Sequence, residues 1–242
     1  MLRIDKYLAD CGIGTRSEVK KYIKAKQITV NGGVVTKPEQ KIDENVDVVC
    51  LKGKEISYEK YVYYLLHKPS GCVTAKQDNV HKTVMEYFPE EIRAKDIAPV
   101  GRLDLDTEGL LLFTNDGPLT HHLLSPTHHI PKTYYAVLDK KVPETAVELF
   151  KMGVDIGDDK PTLPAELTIM SEEVNEDGEK KFSAELTIHE GRFHQVKRMF
   201  EAVGCTVTYL KRLSMGSLDL GDLEKGNYRK LSEDEVKILQ EK

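Results

Sequence analysis

The residue types best placed for chemistry lie in Gly101-Arg102-Leu103-Asp104-Leu105-Asp106-Thr107-Glu108-Gly109, ahead of an apolar run and an Asn115-Asp116-Gly117-Pro118 cluster. Leu110 to Phe113 reads as a buried strand, and the Asn-Asp-Gly-Pro cluster as the turn that ends it. Polar loop, buried strand and turn together would hold Asp104 rigidly at the rim of a sheet, where a carboxylate can attack a carbon or take a proton. Two other readings compete. Asp104, Asp106 and Glu108 alternate, as on the solvated side of a loop or strand. Asp104 with Asp106 or Glu108 could also form a glycoside-cleaving pair, which needs two carboxyl groups about 5–9 Å apart. Two residues apart on a strand gives roughly 6–7 Å, so spacing permits it.

A second reactive pattern is Glu190-Gly191-Arg192-Phe193-His194-Gln195-Val196-Lys197-Arg198-Met199-Phe200. It reads as a tight turn opening a helix that runs to about Val203. Three cations, Arg192, Lys197 and Arg198, crowd the start of that helix. The helix dipole disfavours cations there, so an anionic partner is required; Asp104 and a bound phosphate would serve. A third concentration is four of the eight histidines between residues 121 and 129. Adjacent His121 and His122 point about 100° apart on a helix, and no Cys or carboxylate completes a ligand pattern, so we expect no metal there.

The elements that position these groups follow from periodicity and capping. Ile4, Tyr7, Leu8 and Cys11 have helical spacing, ended by Gly12 and Gly14. Thr15 and Glu18 form a capping box, so a second helix starts near Arg16. Val19 and Ile23 are its buried stripe, and Arg16, Lys20 and Lys24 line one face. Ile28 to Val35 carries Asn31-Gly32 between β-branched residues, a hairpin signal. Val46 to Leu51 reads as the last strand of this region, and residues 43–60 lead into a polar connector. Tyr61 to Leu66 is a strand running into the His67-Lys68-Pro69-Ser70-Gly71 turn. Residues 83–93 read as a short helix, and Pro118 to Ser125 as another. Lys132 to Leu138 is a strand with Tyr134 and Tyr135 on opposite faces. Residues 143–153 form a helix, and 160–190 an antiparallel hairpin around Asn175 to Gly178. Ser232-Glu233-Asp234-Glu235 opens a final amphipathic helix.

Composition narrows the class. The chain has 242 residues, 40% hydrophobic, and a net charge of -5. That suits two small domains with a folded core. No apolar run approaches the roughly 20 residues of a membrane span, and the N-terminus lacks the apolar segment of a signal peptide. The four cysteines are scattered, as free thiols in a reducing, cytoplasmic setting would be. Residues 1–42 carry nine Lys/Arg and four Asp/Glu, a net of +5, which leaves -10 for the remainder. A basic head on an acidic body fits a polyanionic partner held by the head.

The whole Gly101 to Gly117 string resembles the signature of the RsuA-type (RsuA/RluB) ribosomal RNA pseudouridine synthases, in which the Asp of Gly-Arg-Leu-Asp is catalytic. The His67 to Gly71, Lys132 to Leu138, Glu190 to Phe200, Leu210 to Leu218 and Gly226 to Leu231 segments are similar to the same family. Residues 2–50, with their order of short helix, Thr-Arg-Ser turn, basic helix and Val-Asn-Gly hairpin, resemble a small RNA-binding domain first described in a bacterial small-subunit ribosomal protein. The implied fold is α+β: an N-terminal α/β-hairpin RNA-binding domain and connector, 1–58, and a mixed, mainly antiparallel-sheet catalytic domain, 59–242.

The resemblance implies an isomerase converting uridine to pseudouridine without cofactor or metal. The implied catalytic set is Asp104, Tyr134 and Lys197, with Arg198 one register step from Lys197 as the other candidate partner of Asp104. Arg102, Lys68, Arg192, His194, Gln195 and Arg198 would bind substrate. Arg3, Arg16, Ser17, Lys20 and Lys24 would meet RNA phosphates from the head, adding affinity and salt dependence but little sequence information. The partner expected is ribosomal RNA or an assembling particle, met by a monomer. The Ser125-Pro126 and Lys132-Thr133-Tyr134-Tyr135 wording and the short C-terminal tail favour a 16S target; 23S rRNA and a non-catalytic assembly factor are the alternatives.

Overall fold

A computed structural model describes residues 1–170, 173–174 and 180–241. They form two compact units: Met1–Val62 with Phe88–Ile97, and Tyr63–Tyr87 with Ala98–Lys242. The division expected after residue 58 thus falls after Val62, and residues 88–97 join the first unit. Side-chain contacts within that unit account for this. Tyr58 stacks on Tyr7 with centroids 4.9 Å apart, and Lys95 Nζ donates to Glu59 at 3.4 Å.

The first unit follows its sequence signals closely. Helix α1 (Ile4–Asp10) buries Ile4, Tyr7 and Leu8, as the i, i+3, i+4 spacing requires. Helix α2 (Arg16–Lys24) opens on the Thr15/Glu18 capping box and buries Val19 and Ile23. Strands β1 (Ile28–Val30) and β2 (Gly33–Val34) pair antiparallel. Asn31 and Gly32 join them with φ of +50° and +81°, the two positive values of a type I′ turn. The strand expected over Val46 to Leu51 is confined to β3 (Val49–Leu51), which turns back into β4 (Lys54–Glu55). Residues 43–47 are instead a turn: the Asp47 carboxylate accepts from the Asp43 N–H and from Asn31 Nδ2, each at 2.8 Å. Val46 is left 75% exposed. One cluster of Ile4, Leu8, Val19, Ile23, Ile28, Val35, Ile42 and Val49 is the core.

The second unit is built on a mixed sheet. Its strands are β5 (Tyr63–Lys68), β6 (Glu108–Thr114), β7 (Lys132–Leu138), β8 (Glu166–Ile169), β9 (Lys180–Ile188), β10 (Val207–Met215) and β11 (Tyr228–Lys230), in the order β8-β9-β7-β10-β6-β5-β11. Neighbours on this path are antiparallel except β10 and β6. Strands β5 and β6 are buried along their whole length, which explains their unbroken apolar runs. Strand β7 alternates: Tyr134, Ala136 and Leu138 are buried, and Tyr135 meets Tyr209 on the other face. The helices are α3 (Gly117–Leu124), α4 (Thr145–Met152), α5 (Gln195–Ala202) and α6 (Glu233–Gln240).

Two expectations shift. The strand read at Tyr61–Leu66 starts at Tyr63 and includes Lys68. The helix read over 83–93 is a 3-10 turn, Val84–Tyr87, and one α turn, Glu90–Arg93. Pro89 separates them, because its ring cannot continue a preceding helix. The Asn175 to Gly178 turn lies outside the described residues. Among the described residues, no helix is long and apolar enough to cross a membrane.

Candidate active site

The loop bearing Asp104 is fixed by a buried lysine. Lys68, at the end of β5, is fully buried. Its ammonium donates to the carbonyls of Asp104 (3.0 Å), Leu105 (3.3 Å), Thr107 (2.8 Å) and Pro69 (3.1 Å). Burial lowers the Lys68 pKa, partly opposed by nearby acidic groups including Asp106 and Asp104. The Gly71 N–H donates to the Leu105 carbonyl at 2.8 Å, and Thr74 Oγ1 to that of Leu103 at 2.8 Å. The Lys-Pro-Ser-Gly turn therefore grips the reactive loop along its backbone. Lys68, expected to bind substrate, directs its ammonium to four carbonyls, three of them on this loop.

Opposite the loop stands the start of α5. Lys197 Nζ lies 3.6 Å from Asp104 Oδ2 and 2.7 and 2.8 Å from the two oxygens of Asp106. His194 Nε2 is 3.5 Å from Asp104 Oδ1. The Asp104 carboxyl thus has a cation on one oxygen and an imidazole on the other. Its side chain remains 28% exposed, so it is reachable from solvent. Hydrogen bonding from Lys197 holds the Asp106 carboxyl below its ordinary value. His194 caps α5 in the left-handed region, φ +49°, with no side-chain cap bond. Of the three cations read from the sequence, Lys197 meets Asp104 and, more closely, Asp106.

The register question between Lys197 and Arg198 has a geometric answer. Arg198 donates to the Ile156 and Phe193 carbonyls and to Asp158, and depresses the Asp158 carboxyl. Arg192 donates to Glu190, to Asp158 and to the Lys160 and Pro161 carbonyls. Gln195 is 3% exposed; its amide donates to Glu190 and accepts from the Arg192 N–H. Of these three, expected on substrate, Arg192 and Arg198 tie the Gly191 to His194 turn to residues 156–161, and Gln195 ties it to Glu190. The physical reason is the same for each: a buried or half-buried donor must find an acceptor, and the loop carbonyls and acids supply it. Arg102 is exposed.

Tyr134 joins this end of the sheet through Arg212. In the registers, Arg212 of β10 pairs with Tyr134 of β7 on one side and with Gly109 of β6 on the other. Tyr134 therefore sits two strands, about 10 Å, from the residue where the Asp104 loop enters β6. Arg212 is 2% exposed. Its Nε donates to the Leu110 carbonyl at 2.8 Å, while Nη2 is buried without a hydrogen-bond partner among the described residues. The pKa of Lys132, at the head of β7, falls to about 8 through burial and then the charge of Arg212. Sequence reading gave no role to Asp158, Glu190 or Arg212. Arg212 carried a signal, since its parity with Leu210 places it on the inward face of its strand.

In the first unit, Arg16, Ser17, Lys20 and Lys24 are exposed on α2. Arg3 is exposed as well and forms a two-bond pair with buried Asp5, at 3.0 and 2.8 Å. Among the histidines from 121 to 129, His122 and His128 pack on each other. His122 and His128 rings are 3.9 Å apart, and His128 Nδ1 contacts the His122 carbonyl at 2.8 Å.

Comparison with known proteins agrees with this architecture. Residues 62–202 match the RNA pseudouridylate synthase model and residues 2–48 the S4 domain model. The uncharacterized RNA pseudouridine synthase YtzG of Bacillus subtilis (strain 168) is 40% identical, over 99% of both chains. The ribosomal small subunit pseudouridine synthase A of Pasteurella multocida (strain Pm70) is 38% identical, covering 97% of this chain and 98% of that one. The ribosomal large subunit pseudouridine synthase B of Bacillus subtilis is 39% identical, covering 99% and 96%. A crystal structure of a pseudouridylate synthase superposes with a TM-score of 0.67 at 35% identity, covering 99% and 100%. The chain belongs to the RNA pseudouridylate synthase family, with an N-terminal S4 domain. It is an isomerase of the RsuA/RluB type, of the α+β fold expected.

Proposed function

We propose that this enzyme converts a uridine of small-subunit (16S) ribosomal RNA to pseudouridine, with Asp104 as the essential carboxylate. The reading rests on one observation above all: Lys197 and His194 converge on the two oxygens of Asp104, at 3.6 and 3.5 Å. The reaction breaks the bond from ribose to the base nitrogen, turns the uracil, and joins a ring carbon to the same sugar carbon. One proton leaves that ring carbon and one arrives at the freed nitrogen, so no electrons are gained or lost. Asp104 acts on the sugar, by attack on the anomeric carbon or by removing the proton of its neighbour. Either role needs the ionised form, which a nearby ammonium favours.

A uridine paired in RNA must swing out first, at a few kcal/mol offset by stacking and phosphate contacts. Tyr134 receives the uracil and Arg102 fills the vacated place or holds a phosphate. Asp104→Asn removes the ionised carboxylate while keeping its volume. Product should fall at least about a thousandfold, with RNA affinity within twofold. Carbodiimide treatment followed by reverse transcription reads the product; wild-type yield from this variant would end the assignment of Asp104.

The 16S target is favoured by the Ser125-Pro126 and Lys132 to Tyr135 wording. A 23S target is the second reading, favoured by 39% identity to a large-subunit enzyme. Mapping pseudouridine in both RNAs from a deletion strain separates them: the one that loses a site is the substrate.

A further inference from the structure

The most exposed large apolar side chain beside the candidate active site is Phe193, at 76%. A lone exposed Phe is ordinary on a protein surface, but this one is held in place. Its ring stacks on His194, centroids 3.8 Å apart and planes 19° from parallel. His194 in turn contacts Asp104. The Phe193 carbonyl accepts from Arg198 at 3.0 Å, and Arg192 ties the same turn to the Lys160 and Pro161 carbonyls at 2.6 and 2.7 Å. Two arginines thus immobilise a turn whose tip presents one aromatic face to solvent. On the Asp104 loop, Leu105 is 43% exposed, so apolar surface also adjoins Asp104 in sequence.

A rigid aromatic face with no charge of its own suits a planar, neutral partner. The guanidinium groups behind it are already spent on Asp158, Glu190 and carbonyls, so the tip is not a phosphate site. An RNA enzyme meets unpaired bases, and these stack on exposed aromatics. Pre-organisation lowers the ordering cost of such contacts. We propose that Phe193, backed by His194, is a stacking platform for an unpaired nucleobase flanking the target uridine. This rests on the reading of Asp104 as the reacting group, with the target uracil itself held by Tyr134.

The test uses the full chain and the rRNA stem-loop that carries the site mapped in a deletion strain. Phe193→Ala should raise KM about tenfold, equal to about 1.4 kcal/mol, with kcat within twofold. Phe193→Trp should restore KM. The sequence has no tryptophan, so the introduced indole is a sole reporter. Its emission should be quenched by the stem-loop, and less so by one made abasic on both sides of the target. An unchanged KM in Phe193→Ala, a KM loss that Phe193→Trp does not rescue, or an indole that the stem-loop leaves unquenched overturns the platform, while wild-type turnover leaves the enzyme reading intact. A wild-type protein that makes no pseudouridine in either rRNA overturns both.

Discussion

Lys197 serves two carboxylates. Its ammonium is closer to Asp106 than to Asp104, so it works as the shared counter-charge of an acidic pair rather than as a private partner of one. Without it, Asp104 and Asp106, on a loop held by Lys68, would lose the ammonium they share. Lys197→Met should therefore lower single-turnover conversion by about a hundredfold, as for loss of one oriented electrostatic contact in an active site. RNA affinity, measured by filter binding, should stay within threefold. Wild-type turnover would show that His194 alone suffices to steady Asp104.

Two elements depend on single residues. Gly109 has φ of +107°, and an added Cβ would stand 2.2 Å from the Arg212 carbonyl oxygen and 2.6 Å from its nitrogen. Those are backbone atoms of the parallel neighbour, which cannot swing aside. Gly109→Ala should cost at least about 3 kcal/mol in urea unfolding, from strain and strand separation together. A loss under about 1 kcal/mol would mean that the two strands part easily. The C-terminal helix α6 is the other case. Glu235 closes its capping box with Ser232 and accepts from Arg229 of β11 at 2.8 and 2.6 Å, which holds the Glu235 carboxyl at about 2. A depressed carboxyl stabilises the fold above its ordinary value of 4.5, and that contribution is lost as pH falls through about 2. Glu235→Gln should cost about 1 kcal/mol at pH 7, given a partly exposed pair, and nothing near pH 2. A pH-independent cost would assign the effect to the cap alone.

At the scale of the molecule, charge and chemistry are divided between the two units. The first unit carries the exposed Arg16, Lys20 and Lys24 row on α2; the second carries Asp104, the carboxylate proposed to react. Lys20→Glu with Lys24→Glu should weaken binding to long rRNA at least about tenfold. The slope of log affinity against log salt should flatten by about one to two. Turnover on a short stem-loop should stay within twofold. Unchanged binding across a salt titration would give the head another task.

Local signals were sufficient wherever a residue's partner lay within a few positions. The Thr15/Glu18 cap, the Asn31-Gly32 turn, the strand at Leu110 to Phe113 and the alternation around Tyr134 are properties of neighbouring residues, and each is present as read. The seventeen-residue string and the Glu190 to Phe200 segment also placed Asp104 and Lys197 in one site, through resemblance rather than spacing. Tertiary structure alone decided which donor met which acceptor across long separations. Lys68 was spent on the Asp104 loop, and Arg192, Gln195 and Arg198 on residues 156–161 and Glu190. Lys197 was shared with Asp106, and residues 88–97 were assigned to the first unit. A one-dimensional pattern shows that a cation needs an anion but not which one, because burial and hydrogen-bond direction select the partner only after the chain has closed upon itself.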